Sequence, residues 1–391
     1  MLNLRRLYLD LSMSSVFRGV LKKPLFRYFE EFNKDGATVA EKTNSYGSFV
    51  AEIYKHGSSL TDLVFKYVFQ DENVYVKARA KAVEPDAFVK AATERELRVF
   101  EEFASLTPEN FAAELGAEYL SSFGSEHRSL AEEYEAVIRD IEKHGYGVFA
   151  EFPMFRLEDN GELLPIVSAD KTTVEGFVGY LEERQRVIDN TVAFIENRPA
   201  ANVLLCGDAG TGKSSTVKAV VNKFFNRGIR LIELRKNQLS SLPYVMGRIS
   251  ENPLKFIIFI DDLSFNQNDD NFSMLKAALE GSASAKAENA VIYATSNRRH
   301  IIKESFGDRE GDDVHRNDTM QEILSLSERF GLVVLFQKPG KALYLDIVHS
   351  LAKRYGVQME VGELDIKAEA FALRRGSRSP RCAEQFIRSL V

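Results

Sequence analysis

Cysteine is scarce in this 391-residue chain, with only Cys206 and Cys382. The two form neither a disulfide framework nor a metal-binding spacing, which suits a reducing compartment, and a cytoplasmic protein is expected. The six histidines, at 56, 127, 144, 300, 315 and 349, are scattered. No pair has helical metal-ligand spacing, so no structural zinc is expected. No apolar run approaches the roughly 18 residues that a membrane-spanning helix needs, so no membrane association is expected. The opening Met1–Asp10 is broken by charge too early for a secretory signal. Positive charge is not in excess: 51 Lys and Arg stand against 57 Asp and Glu, a net charge of −6. The chain as a whole is therefore not a polyanion binder. What is present, 45% hydrophobic and 28% charged residues, is the composition of a globular protein. Its length allows two or three domains and a sizeable core.

Residues 1–150 read as a helical N-terminal domain without a nucleotide motif. Thr107-Pro108-Glu109 is a helix start, with Thr as N-cap and Pro at the first helical position. From Ser129 to His144 one apolar face is formed by Leu130, Tyr134, Val137, Ile138 and Ile141, and Gly145 is the C-cap. This segment has 19 basic against 24 acidic residues, which weighs against a dedicated DNA-binding head. Its aromatics (Phe17, Phe26, Phe29, Phe32, Phe49, Tyr54, Phe65, Tyr67, Phe69) fit a core better than a base-stacking platform.

A hairpin is expected over 151–167, with Phe152–Leu157 and Leu163–Val167 flanking Asp159-Asn160-Gly161. Five apolar runs then alternate with helical patterns: Asn202–Cys206, Arg230–Leu234, Phe256–Ile260, Val291–Thr295 and Leu332–Phe336. Such alternation predicts a parallel sheet covered on both faces. Residues 151–340 thus read as an α/β core and residues 341–391 as a small helical domain.

The run Gly207, Asp208, Ala209, Gly210, Thr211, Gly212, Lys213, Ser214 matches the phosphate-binding loop G-x-x-x-x-G-K-[ST] in full. Its glycines let successive backbone N–H groups turn inward around a phosphate. Lys213 can reach the β- and γ-phosphates and the Ser214 hydroxyl can hold Mg²⁺. The run lies between an apolar strand and a helix, Ser214–Phe225, with Val217, Val220, Val221 and Phe224 at helical spacing. A lysine in a first turn opposes the helix dipole, so an anion is expected to face it.

Phe256–Ile260 followed by Asp261-Asp262 is a buried strand that ends in two carboxylates. Asp261 can hold Mg²⁺ opposite Ser214, and Asp262 can orient and polarise an attacking water. Val291–Thr295 ends near Asn297, which can hydrogen-bond a γ-phosphate or the lytic water if its strand lies between the other two. A plain turn asparagine is the alternative. The basic run Arg298-Arg299-His300 can face a neighbouring subunit, a substrate or solvent. Asp318–Glu322 begins a helix that ends near Arg329, just before the last strand. Arg329 can complete the site of an adjacent subunit, or pair within the chain with Glu328. At the C-terminus, Ser379-Pro380 reads as an N-cap and first helical residue, which puts Arg381 in a first turn. That position disfavours a cation by roughly 0.3–1 kcal/mol unless an anion is near, and suggests a nucleotide sensor on a mobile lid. A nucleic-acid patch of Arg374, Arg375 and Arg378 competes with it.

Together these residues resemble the AAA+ ATPase superfamily, and most of all a bacterial AAA+ family labelled only as a domain of unknown function. The resemblance covers about residues 165–391. It rests on Gly179-Tyr180, Asn190-Thr191, Gly207–Ser215, Asp261–Phe265, Ala294–His300, Ser325–Gly331 and Ser379–Phe386. It implies a P-loop NTPase αβα sandwich with a five-stranded parallel sheet, between a helical domain and a helical lid. It also implies that Gly179 and Tyr180 lie near the adenine and that Ser215 belongs to the phosphate loop. Asn297 would be the first sensor, Arg329 the arginine finger and Arg381 the second sensor. ATP and Mg²⁺ are the implied cofactors, and a homo-oligomer, in some members a ring, is the implied assembly. The sequence departs from the superfamily in having Asp262 where many members have glutamate, one methylene longer. Lys236–Leu242 also lacks the aromatic–hydrophobic–glycine loop of protein-threading unfoldases.

The function expected is a Mg²⁺-dependent ATPase that remodels or loads a protein or nucleic-acid partner. An ATP-gated switch, or a helicase-loader-like module with little intrinsic hydrolysis, is the alternative. A small-molecule kinase also uses a P-loop, but no acceptor-pocket motif is evident.

Overall fold

Val203–Gly207 is the strand that the apolar run before the phosphate loop predicts, and all five of its residues are buried. Strands buried on both sides read as continuous apolar runs, and this one sits inside a sheet. The computed structural model describes residues 3–115, 119–167, 172–263, 270–279, 287–297 and 328–391, with the backbone alone at 270–273. The chain divides into two units, Met1–Glu151 with Glu251–Pro253, and Phe152–Ser250 with Leu254–Val391.

The first unit is helical: α1 (Leu4–Ser12), α2 (Pro24–Phe32), α3 (Val39–Lys55), α4 (Leu60–Phe69), α5 (Val74–Ala80), α6 (Ala87–Ala104), α7 (Pro108–Ala112), α8 (Leu130–Arg139) and α9 (Ile141–His144). Its core is aromatic. Phe17, Phe29, Phe49, Phe100, Phe103 and Phe111 are buried, mostly with edge-to-face or tilted neighbours, an arrangement favoured by the ring quadrupoles. Tyr54 departs from the core reading; it is exposed and its hydroxyl donates to the Ser122 carbonyl. The helix expected over Ser129–His144 is broken at Asp140, whose φ of −106° and ψ of 30° leave the helical region. Leu130, Tyr134, Ile138 and Ile141 are buried across the break.

The second unit carries one sheet of seven strands among the described residues: β1 (Met154–Leu157), β2 (Leu163–Pro165), β3 (Val203–Gly207), β4 (Ile229–Leu234), β5 (Lys255–Ile260), β6 (Ala290–Ser296) and β7 (Leu332–Phe336). Their order is β2-β1-β4-β5-β6-β3-β7. The five expected strands are all present and parallel. The expectation of a five-stranded sheet is corrected because the hairpin extends that sheet. β1 pairs parallel with β4, and β2 pairs antiparallel with β1. Phe155, buried on β1, sits opposite Ile232, so the hairpin covers an edge of β4 that would otherwise expose backbone groups. The turn is longer than the Asn-Gly pair suggests: Glu158 N donates to Glu162 O at 2.9 Å.

Helices α10 (Leu181–Ile195) and α11 (Lys213–Phe224) pack on one face of this sheet. Val187 and Phe194 meet Val217, Val220 and Val221 above Leu205, Leu231 and Phe259. Full burial contributes roughly 1.5–3 kcal/mol for each large aliphatic side chain. Asn190 and Thr191 tie α10 to β6 through the Tyr293 hydroxyl, at 3.0 and 2.8 Å. α12 (Leu242–Ile249) and α13 (Asp270–Leu279) follow β4 and β5. The C-terminal helices α14 (Lys341–Tyr355), α15 (Val361–Arg375) and α16 (Pro380–Arg388) pack around Tyr344, Ile347, Leu364, Ala368 and Phe386. No helix among the described residues is long and apolar enough to cross a membrane.

Candidate active site

Three neighbouring strands deliver the chemical residues to one edge. In the order β5-β6-β3, Ile260 stands beside Ala294, and Thr295 and Ser296 stand beside Leu205 and Cys206. Asp261-Asp262, Asn297 and the loop starting at Gly207 therefore leave adjacent carboxyl ends, where open α/β sheets bind ligands. β6 does lie between β5 and β3, the condition on which a role for Asn297 depended.

Gly207 has φ +129°, and a Cβ there would stand 2.1 Å from the Phe336 carbonyl oxygen. Only glycine lets the loop turn so close to β7. Asp208 N donates to the same carbonyl at 3.1 Å, and Asp208 Oδ2 accepts from Lys338 N at 2.8 Å. The Thr211 hydroxyl closes the loop by donating to Asp208 O at 2.9 Å. Ala209 is exposed at the loop tip. Lys213 opens α11 and is buried. Its Nζ donates to Gly207 O (2.9 Å), Asp208 O (2.8 Å) and Asn297 Oδ1 (2.9 Å). Burial pushes the ammonium below its ordinary pKa, against the opposing pull of Asp208 and other nearby acids.

Asn297 is a bridge. While Oδ1 accepts from Lys213, Nδ2 donates to Asp262 Oδ1 at 2.7 Å. Asp262 is exposed with φ +53°, a left-handed backbone uncommon outside glycine. Its N–H donates to Thr295 Oγ1 at 2.9 Å. The same Thr295 hydroxyl donates to Asp261 Oδ1 at 2.5 Å, and Ser214 Oγ donates to that oxygen at 2.6 Å. Ser214 and Thr295 thus converge on one oxygen of Asp261.

A cleft of 740 Å³ runs beside the loop. Gly210, Gly212 and Ser215 form one wall, Phe177 and Val178 another, and Ile347, Leu351 and Arg381 come from α14 and α16. Arg381 N donates to Gly210 O at 3.2 Å, and a Cβ on Gly210 would lie 3.1 Å from both Arg381 Cβ and Ser379 Oγ. The expected cap is formed: Ser379 Oγ accepts from Cys382 N at 3.2 Å. Gly179 and Tyr180 lie at the turn into α10, with φ +74° and +53°. The Tyr180 ring lies tilted against Phe336, its hydroxyl donates to Gln337 O at 2.6 Å, and burial raises its pKa to about 12. The pair lines a separate recess with Leu343, while Phe177 and Val178 line the cleft.

Arg329 is half-buried three residues before β7 and does not line the cleft. Of the competing basic patch, Arg378 is engaged by Glu369 through two bonds of 3.0 and 2.8 Å. Arg298-Arg299-His300, Asp318–Glu322, Ser264-Phe265 and Ser325–Ser327 lie outside the described residues.

Two residues beside the site were missed by sequence reasoning. Thr295 orients both aspartates, and its only signal was a hydroxyl at the end of an apolar strand. Arg184 lies on the buried stripe of α10 with Val187, Thr191 and Phe194. An arginine at a core position of an amphipathic helix was the available signal.

Residues 150–391 match the family described as "Protein of unknown function (DUF815)". The chain belongs to that family. No curated protein matches it. Among solved structures, it is similar to the Thermotoga maritima RuvB Holliday junction branch migration motor. The identity is 14% and the TM-score 0.37, over 55% of this chain and 63% of that one. Two single-residue variants of that motor give 15% and 0.38 over the same shares. The chain thus spans less than two thirds of those structures, a likeness that transfers neither activity nor partner.

Proposed function

We propose that this chain is a Mg²⁺-dependent AAA+ ATPase that couples ATP binding and hydrolysis to remodelling or loading of a macromolecular partner. The observation that carries this reading is the Asn297 bridge, which links the P-loop lysine to Asp262 at the end of the neighbouring strand. The direct partners of the Lys213 ammonium are two carbonyls and one amide, all neutral. A polyphosphate would supply the anionic partner that a buried ammonium favours.

The donor set fits Mg²⁺, which prefers hard oxygen ligands and a small share of protein contacts. Ser214 Oγ and the Asp261 carboxylate would hold it. When bound, the ion would neutralise charge on the β- and γ-phosphate oxygens. Lys213 would bind the phosphates, and Asn297 would hold Asp262 in register with them. Asp262 would accept a hydrogen bond from the attacking water and orient it. Arg381, at the cleft from α16, would report the nucleotide to the lid, and Arg329 would complete the site of a neighbouring subunit.

The switch reading has one observation in its favour. Asp262 is short, its backbone is left-handed and its carboxylate is already engaged by Asn297. Asn297 occupies one carboxylate oxygen, which leaves only the other to meet a water and suits turnover that waits for a partner.

The test is ATP binding and phosphate release with Mg²⁺ and with EDTA. Mg²⁺-dependent binding with measurable release supports the ATPase. Binding without release, until protein or nucleic acid is added, supports the switch. Failure to bind ATP with Mg²⁺ present would sink both.

A further inference from the structure

The phosphate loop and α10 meet at a guanidinium that no step above uses. Arg184 is only 4% exposed. Its Nη1 donates to the Gly179 carbonyl and its Nε to Thr216 Oγ1 at 3.4 Å. Its Cζ lies 4.1 Å from the centroid of the Phe177 ring. All these partners are neutral. Among the described residues no carboxylate forms an ion pair with it, and Nη2 has no hydrogen-bond partner. Nη2 lies 3.5 Å from the point that a Cβ on Gly212 would occupy, and Arg184, Gly210, Gly212 and Ser215 share the walls of the 740 Å³ cleft.

Four other charges along the cleft are engaged, while Arg381 faces it from α16. Glu175 takes Lys223, Glu384 takes Arg388, and Arg354 donates to the Gly176 carbonyl. Arg184 therefore presents a buried charge whose desolvation is not offset by an acid. Burial lowers its pKa to about 10, which still leaves it protonated at neutral pH. A buried charge that faces a cleft is one place where a ligand can supply the counter-charge.

We propose that Arg184 is a nucleotide-binding residue: Nη2, beside Gly212, takes an oxygen of the phosphates shared by nucleoside di- and triphosphates, at a point distinct from the Lys213 ammonium. The Phe177 ring and the Gly179 carbonyl hold the guanidinium in that pose. A planar fork suits this task because one edge is fixed by the protein while the other faces the ligand. The proposal rests on the nucleotide reading of the site, and its test separates the two.

The experiment is calorimetric binding of ADP and of ATP with Mg²⁺ to the full chain, wild type, R184Q and R184K, alongside thermal unfolding without nucleotide. One charge-assisted contact corresponds to about a 10- to 100-fold change in Kd. R184Q is expected to weaken ADP and ATP alike by at least tenfold, with an unfolding midpoint equal to or above wild type. R184K, which keeps the charge, should bind more tightly than R184Q. Affinities for R184Q within about threefold of wild type overturn the assignment while leaving the nucleotide reading in place. So does a midpoint that falls equally in both variants with equal loss of affinity, which would make Arg184 a structural prop. Wild type that binds neither nucleotide overturns both.

Discussion

Replacing Lys213 by alanine removes a buried ammonium and its three bonds to neutral acceptors. The remaining carbonyls lose a donor, but the desolvated charge is also gone. Nucleotide affinity should fall about 10- to 100-fold, the worth of a charge-assisted phosphate contact, and titration with a fluorescent ADP would measure it. Asp262→Asn makes a different prediction. An asparagine oxygen can still accept from Asn297 Nδ2, so the bridge and ATP binding should survive. Phosphate release should fall by about 10²–10⁴-fold, the usual share of a positioned base; unchanged release would remove Asp262 from the mechanism. At this scale the convergence of Lys213, Ser214, Asp261 and Asp262 was legible, because a motif of fixed spacing and the end of an apolar strand place them. The places of Thr295 and Arg184 were not, because they come from strand pairing and from the packing of α10 against the loop.

Elements constrain the site through close approaches that a single methyl group can test. Gly207 ends β3 with φ +129° and its Cβ position 2.1 Å from a backbone oxygen of β7. Gly207→Ala should therefore destabilise the second unit by about 2–5 kcal/mol, combining left-handed strain with overpacking against a carbonyl that cannot swing away. Gly247, inside α12, meets nothing within 4 Å, and Gly247→Ala should stabilise by roughly 0.5–1 kcal/mol through helix propensity. Urea unfolding of both variants checks the pair; equal shifts would show that the β3–β7 approach is not tight. The five parallel strands were readable because each is a continuous apolar run between turn signals. The hairpin's membership of the same sheet was not, since nothing in Met154–Leu157 specifies β4 as its partner. The break at Asp140 was hidden for a related reason: the apolar positions on either side keep helical spacing, and burial across the break preserves the pattern without the helix.

At the scale of the whole molecule, the open matter is whether one chain makes a complete site. Lys213, Ser214, Asp261, Asp262 and Asn297 come together within a chain, whereas Arg329 stands three residues before β7, away from the cleft. β7 ends the sheet and pairs with β3 alone among the described strands. The role proposed for Arg329 is to complete the site of a neighbouring subunit. Arg329→Ala should accordingly retain ATP binding and lose turnover. Mixing it with Lys213→Ala should restore activity, because some interfaces would then join an intact Lys213 site to an intact Arg329. Phosphate release across mixing ratios, read with the solution mass in the presence of Mg²⁺ and a non-hydrolysable ATP analogue, decides the point. Recovery that rises and falls with the ratio, together with a nucleotide-driven increase in mass, fits a shared site. No recovery at any ratio, with one monomeric mass throughout, would return Arg329 to a role within its own chain, and the nucleotide cycle would then act through the approach of α16 to Gly210 alone.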